Sequence, residues 1–171
     1  KHRFPLSHLH CSTAPPRVTC GQGGPEGARP LGSRARRRAG SEQVVGTYRL
    51  LRRSVADCHG GFYSPWEYNI DRVLMNPGEL LELGRSCVEE RYRNRATMTL
   101  LWRGVAAYVM HYEVPLMFGC ASFQGTEPEA HALTLSYLYH FHMAPENIRP
   151  VALPEHFVEM NMIAKEKVDT R

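Results

Sequence analysis

Residues 81–102, LELGRSCVEERYRNRATMTLLW, constrain the fold more than any other stretch of the chain. The run opens as a strand-like apolar segment, crosses a stretch dense in arginine, and turns into an apolar-periodic helix. Leu101, Val105, Tyr108 and Tyr112 recur at helical spacing and share one face. A strand that feeds a helix through a basic elbow is a ready anion site, because the first N–H groups of a helix lack intrahelical partners and carry partial positive charge. Residues 115–122, PLMFGCAS, follow as a short continuous apolar run, the pattern of a strand buried on both faces. The strand at residues 79–88 and this one are then joined by a helical crossover, so they are expected to run parallel.

The remaining elements fit around that unit. Residues 44–53, VVGTYRLLRR, read as a strand with Gly46 marking a bulge or close approach. Residues 54–76 read as irregular, with Phe62, Tyr63, Trp66 and Tyr68 folding onto the core, and Asn76-Pro77-Gly78 as a turn. The first helix is expected over residues 94–112. Thr126 with Glu129 has the spacing of a capping box, and Pro128 suits a first turn. The second helix carries Leu133 and Tyr137 and stops before Pro145. Residues 157–163 read as a last strand and 165–171 as a frayed tail. The order is β, loop, β–α–β–α–β, an α/β arrangement.

Charge divides the chain. Residues 1–40 hold Lys1 and seven arginines against the single acid Glu26, so the net charge of +4 conceals a basic tract followed by an acidic remainder. Residues 1–42 are crowded with proline and glycine and lack any hydrophobic period, the composition of a disordered segment. The RARRR run at 34–38 suggests a nucleic-acid arm, but no aromatics interleave with it and no binding fold follows, so no nucleic-acid partner is expected. The five cysteines, Cys11, Cys20, Cys58, Cys87 and Cys120, are odd in number and contain no CxxC, which points to free thiols. His140 and His142 stand two apart on a helix and face different ways, so no metal is expected. No apolar run approaches the roughly 18 residues that span a bilayer, and Pro5, Ser7 and His8 interrupt any signal-peptide core, so a cytoplasmic location is expected.

ELGRSCV, YRN, LLWRGVAAY, LMFGCASFQGTEPEAHA and VEMN, in that order, resemble the GNAT-like bacterial L-ornithine N-alpha-acyltransferases, over residues 44–163. The resemblance implies a GNAT-like α/β fold, a mixed sheet flanked by helices. It further implies transfer of a 3-hydroxyacyl group from acyl carrier protein to the α-amine of ornithine, giving lyso-ornithine lipid. The donor is then the acyl-phosphopantetheine of the carrier, with no bound cofactor, and the amphiphilic product suggests peripheral contact with the inner membrane. The rival readings are an acyl-CoA or acetyl-CoA N-acetyltransferase and a non-catalytic fragment that only binds carrier protein.

Under the resemblance, Glu82 accepts the amine proton, as it also matches the acid of the ELSR-type motif in acyl-homoserine-lactone synthases. Arg85 stands three residues on and faces away from Glu82 in a regular strand; a bulge near Gly84 would bring both to one face. Arg85 would then pair with Glu82 or clamp the ornithine carboxylate. Arg91, Arg93, Arg95 and Arg103 form a basic surface for the phosphate and the carrier, with Ala96 and Thr97 at the helix start and Ser122 as a further donor contact. Arg49 matches an arginine of the lactone synthases and would hold the acceptor carboxylate. Two departures stand out. Nothing in residues 1–42 matches the N-terminal strand and helices of the family, so the tract reads as non-native sequence ahead of a partial domain at 43–171. Arg95 also occupies an elbow position where GNAT enzymes carry glycine, which suits a pantetheine phosphate better than a tightly wrapped CoA pyrophosphate.

Overall fold

A computed structural model of the chain describes residues 30–36 and 42–168, with side chains from residue 44. In chain order its elements are β1 (Pro30–Arg36), β2 (Glu42–Arg52), α1 (Arg53–Ala56), β3 (Tyr68–Asn69), α2 (Asp71–Leu74), β4 (Leu80–Val88), α3 (Arg95–His111), β5 (Leu116–Phe118), α4 (Ala132–Phe141) and β6 (Val151–Ala152). They fall into two compact units, one holding residues 30–63 and 77–120, the other residues 64–76 and 121–168.

The first unit is a four-stranded mixed sheet in the order β1-β2-β4-β5. β2 pairs antiparallel with β1 and β4, while β4 and β5 run parallel through the α3 crossover, as the sequence implies. Leu50, Leu81, Val105 and Val114 form the buried centre, with Tyr48, Leu83, Tyr108, Val109 and Tyr112 packed around it. α3 thus turns its periodic apolar stripe onto the sheet and leaves Leu100, Trp102 and Met110 exposed. Its bounds match expectation because Asn94 caps its start: the Asn94 side chain accepts the Thr97 N–H at 2.9 Å.

Pro30–Arg36 departs from the expected disordered tract. The segment pairs along β2, so backbone hydrogen bonding supplies the order that its side-chain composition does not. Residues 1–29 and 37–41, which carry most of that tract, lie outside the described residues, as does the end of the frayed tail.

A network at the foot of the sheet escaped the sequence reading. Glu79 accepts from the Ser54 N–H at 3.1 Å, the Ser54 hydroxyl at 2.9 Å and Arg52 Nη1 at 3.2 Å. Arg52 also donates from Nε to the Tyr108 hydroxyl at 3.2 Å and stacks 3.8 Å above the Tyr112 ring. One guanidinium therefore ties β2 to α3 and to the turn ahead of β4.

The second unit contains the β3–β6 pair, α2 and α4, with Ile70, Val73 and Val168 buried. Here three expectations give way. Thr126 and Glu129 form no capping box; a 3-10 turn at Pro128–His131, without a side-chain cap, precedes α4. Residues 54–76, read as irregular, contain two single-turn helices and β3. Residues 157–163 are not a strand, because their backbone groups bond to a side chain instead of a neighbouring strand. The fully buried Ser136 of α4 donates to the Met160 carbonyl at 3.1 Å and accepts the N–H groups of Met162 and Ile163 at 3.2 and 2.9 Å. His140 Nε2 lies 2.9 Å from the Ile163 carbonyl, so this histidine holds backbone. Ser136→Ala would leave two backbone N–H groups short of a partner. We expect a local loss of about 2 kcal/mol, read as roughly thirtyfold faster hydrogen exchange at the Met162 and Ile163 amides.

Candidate active site

β2 and β4 bring Arg49 and Glu82 together. Their antiparallel register sets Arg49 opposite Gly84 and Leu51 opposite Glu82, so Arg49 reaches Glu82 along the diagonal. Arg49 Nη2 lies 3.1 Å from Glu82 Oε2, and the Tyr63 N–H donates to the same oxygen at 3.0 Å. Glu82 is only 1% exposed, and a buried carboxylate requires such partners. The Arg49 side chain is 32% exposed, yet its Nε is buried with no hydrogen-bond partner among the described residues.

The segment that delivers Tyr63 has its own logic. After α1, Gly60 and Gly61 take φ values of +88° and +91°, where a side chain would strain the backbone. The Gly61 N–H returns to the Ala56 carbonyl at 2.8 Å. Phe62, buried as expected, then meets Phe118 edge-on with ring centroids 5.0 Å apart. Phe118 is the β5 partner of Glu82, so the aromatic pair stands beside the carboxylate. Tyr63 and Trp66, which were also expected on the core, are exposed at 44% and 75%.

A bulge of the kind that would bring Arg85 to the face of Glu82 is present next to Gly84. Between Arg49↔Gly84 and Thr47↔Cys87 the ladder places Arg85 and Ser86 opposite Tyr48 alone. Arg85 sits there at φ +49° and is exposed. The bulge does not make Arg85 the partner of Glu82: that place is held by Arg49, whose diagonal approach a linear strand pattern does not reveal.

At the start of α3 the basic residues divide. Arg91 pairs with Glu89, and Arg93 Nε donates to the Val88 carbonyl at 3.0 Å, folding the elbow back on the end of β4. Arg95, Ala96 and Arg103 are exposed. Thr97 is buried, and its N–H is committed to Asn94, so the outward first-turn donors are those of Arg95 and Ala96. No acid lies in the first turn, so the cations oppose the helix dipole unless an anion joins them. Ser122 is exposed in the irregular stretch after β5 and belongs to the second unit. The described residues contain no metal-binding cluster of His, Cys, Asp and Glu.

Sequence reasoning missed the Tyr63 N–H, which is set by chain path and carries no side-chain signal. It also missed the relation between Gly84 and Arg49, although a glycine inside ELGR was a visible sign of close approach.

A family profile described as an acetyltransferase (GNAT) domain matches residues 34–103. Over 132 residues the chain is 48% identical to an L-ornithine N(alpha)-acyltransferase of Agrobacterium fabrum, covering 76% of this chain and 45% of that protein. The enzymes of the same name from Brucella abortus and Rhodobacter capsulatus are 46% and 43% identical, with 47% and 49% of their lengths covered. The chain thus spans about half the length of the curated relatives it matches. No solved structure matches.

Proposed function

We propose that this chain, a homologue of L-ornithine N(alpha)-acyltransferases over 76% of its length and matched by the GNAT acetyltransferase domain, transfers an acyl group to the α-amine of ornithine. The observation that carries the reading is the buried Glu82 carboxylate, oriented by Arg49 and the Tyr63 N–H. In the reaction the neutral amine attacks the thioester carbonyl, the C–N bond forms, the C–S bond breaks, and the sulfur departs as thiolate, to be protonated by the proton the amine gives up. The nitrogen must shed a proton, and Glu82 accepts it directly or through water. No covalent acyl-enzyme is invoked: a direct transfer needs position and a base, and no histidine among the described residues bonds to Cys87.

The donor we propose is a 3-hydroxyacyl group on acyl carrier protein. The elbow supports this choice. Asn94 takes the third N–H of the helix start, leaving two outward donors for an anion, a match for a single phosphodiester. Arg95 and Arg103 beside them supply the positive face that an acidic carrier would meet, with Arg91 and Arg93 shaping the elbow. Arg85, exposed on its bulge, is the cation left to receive the ornithine carboxylate once Arg49 is committed to Glu82. The product is an amphiphile, so we place the protein in peripheral contact with the inner membrane; no helix among the described residues is long and apolar enough to cross one.

The test is a mass-spectrometric assay of the chain with ornithine and either 3-hydroxyacyl carrier protein or the matching acyl-CoA. N-acylornithine is expected from the carrier-bound donor, with little from CoA. Equal or greater product from CoA would replace the proposed donor; no product from either would overturn the transfer reading for this chain.

A further inference from the structure

Gly84 lies inside β4, where glycine weakens a strand for want of a side chain to pack. Its backbone does not require glycine: among the described residues the positive-φ glycines are Gly60, Gly61, Gly78 and Gly125. What it lacks is room. A Cβ at Gly84 would lie 3.0 Å from Arg49 Nη2 and 3.6 Å from both Cζ and Nε, and these are its three nearest neighbours. The nearest group above Gly84 is therefore the guanidinium of its own cross-strand partner. From that seat the same Nη2 reaches Glu82 at 3.1 Å.

We infer that Gly84 is a positioning residue for the transfer reaction: its missing side chain seats Arg49, and seated Arg49 fixes the Glu82 carboxylate. This rests on the reading of Glu82 as the proton acceptor. A methyl group at residue 84 obliges the guanidinium to give way by a few tenths of an ångström, and the shortest contact is with the very nitrogen that holds Glu82. The ion pair lengthens or re-forms off axis. The carboxylate, too buried to be steadied by solvent, turns with it. The bulge makes the seat a fixed one. Immediately past Gly84 the ladder breaks at Arg85 and Ser86, so β4 cannot relieve the crowding by sliding in register without undoing Cys87–Val88 as well.

The experiment compares the chain with its Gly84→Ala, Arg49→Met and doubly substituted variants. In the transfer assay, Gly84→Ala is expected to lower kcat by about 10- to 100-fold, the scale of a misplaced reacting group. KM for the carrier-bound donor should stay within about twofold, because its docking surface is untouched. The double variant is expected to be no slower than Arg49→Met alone, since the methyl then has no guanidinium to displace. The same four proteins are unfolded in denaturant, where the midpoints should show the same non-additivity without any need for turnover. Additive effects in both measurements, or an unchanged kcat in Gly84→Ala, would overturn the assignment. Coupled midpoints with no transfer by any of the four would instead retire the acyltransfer reading and leave the seat of Arg49 standing.

Discussion

Replacing Glu82 by glutamine is expected to cut ornithine acylation by about 10²- to 10⁴-fold, the contribution of a positioned general base, while the chain stays folded. The substitution keeps the volume of the side chain. The amide oxygen of glutamine can still accept from the Tyr63 N–H and Arg49 Nη2, which now stand at 3.0 and 3.1 Å. Arg49 loses its counter-charge but is 32% exposed, so water can take up part of the solvation. What disappears is the capacity to accept a proton. The check is a rate measured beside a circular-dichroism spectrum and a melting curve. Full activity in a folded Glu82→Gln protein removes Glu82 from the mechanism.

The second large effect is expected from Gly119→Ala. A Cβ at that position would stand 2.3 Å from the Leu83 carbonyl oxygen and 3.2 Å from its carbon. Such an approach is well inside contact distance, and the obstacle is backbone, which cannot rotate away as a side chain can. The parallel ladder of β4 and β5 ends one residue earlier, at Glu82 opposite Phe118. Relief must come from parting the strands at that point, which shifts Phe118 against Phe62 and moves Glu82 with it. We expect a loss of about 1–3 kcal/mol or more in unfolding free energy, with transfer falling further than the unfolded fraction explains. Denaturant titration and the transfer rate measured on the same preparation test this. A midpoint equal to that of the parent chain would show that the strands separate there at no cost.

The parts of the fold that were legible are those written in local patterns. The spacing of Leu101, Val105, Tyr108 and Tyr112 marks α3. The crossover from β4 to β5 follows from element order alone. Residues 157–163 misled because an alternating apolar run looks alike whether its N–H groups meet a neighbouring strand or the hydroxyl of Ser136, which lies more than twenty positions away. The Thr126–Glu129 pair had capping spacing, yet a 3-10 turn intervenes before α4 begins.

In the site, the family resemblance singles out Glu82, but not its partner. Whether Arg49 or Arg85 meets it depends on cross-strand register and on a bulge, both properties of two strands together. The same holds for the Tyr63 N–H, which a loop through two left-handed glycines carries to the carboxylate. Pairings that cross from one strand or loop to another are fixed by the assembled sheet, so a single line of residues is silent on them.

The Arg52 network at the foot of the sheet bears on the alkaline behaviour of the protein. Burial pushes the Tyr108 hydroxyl above its ordinary value of 10.0, against the opposing pull of Arg52. A group whose folded value is raised contributes its stability in full below the unfolded value and loses it as pH climbs through the folded one. Tyr108 thus keeps its proton up to and beyond pH 10.0, and its oxygen accepts from Arg52 in either protonation state. The acceptor α-amine becomes a nucleophile only once deprotonated, near pH 8 or above for an ordinary amine of this kind. Tyr108 therefore stays protonated through the range in which the α-amine of the proposed acceptor loses its proton, and its own titration above that range adds to the loss of stability in alkali.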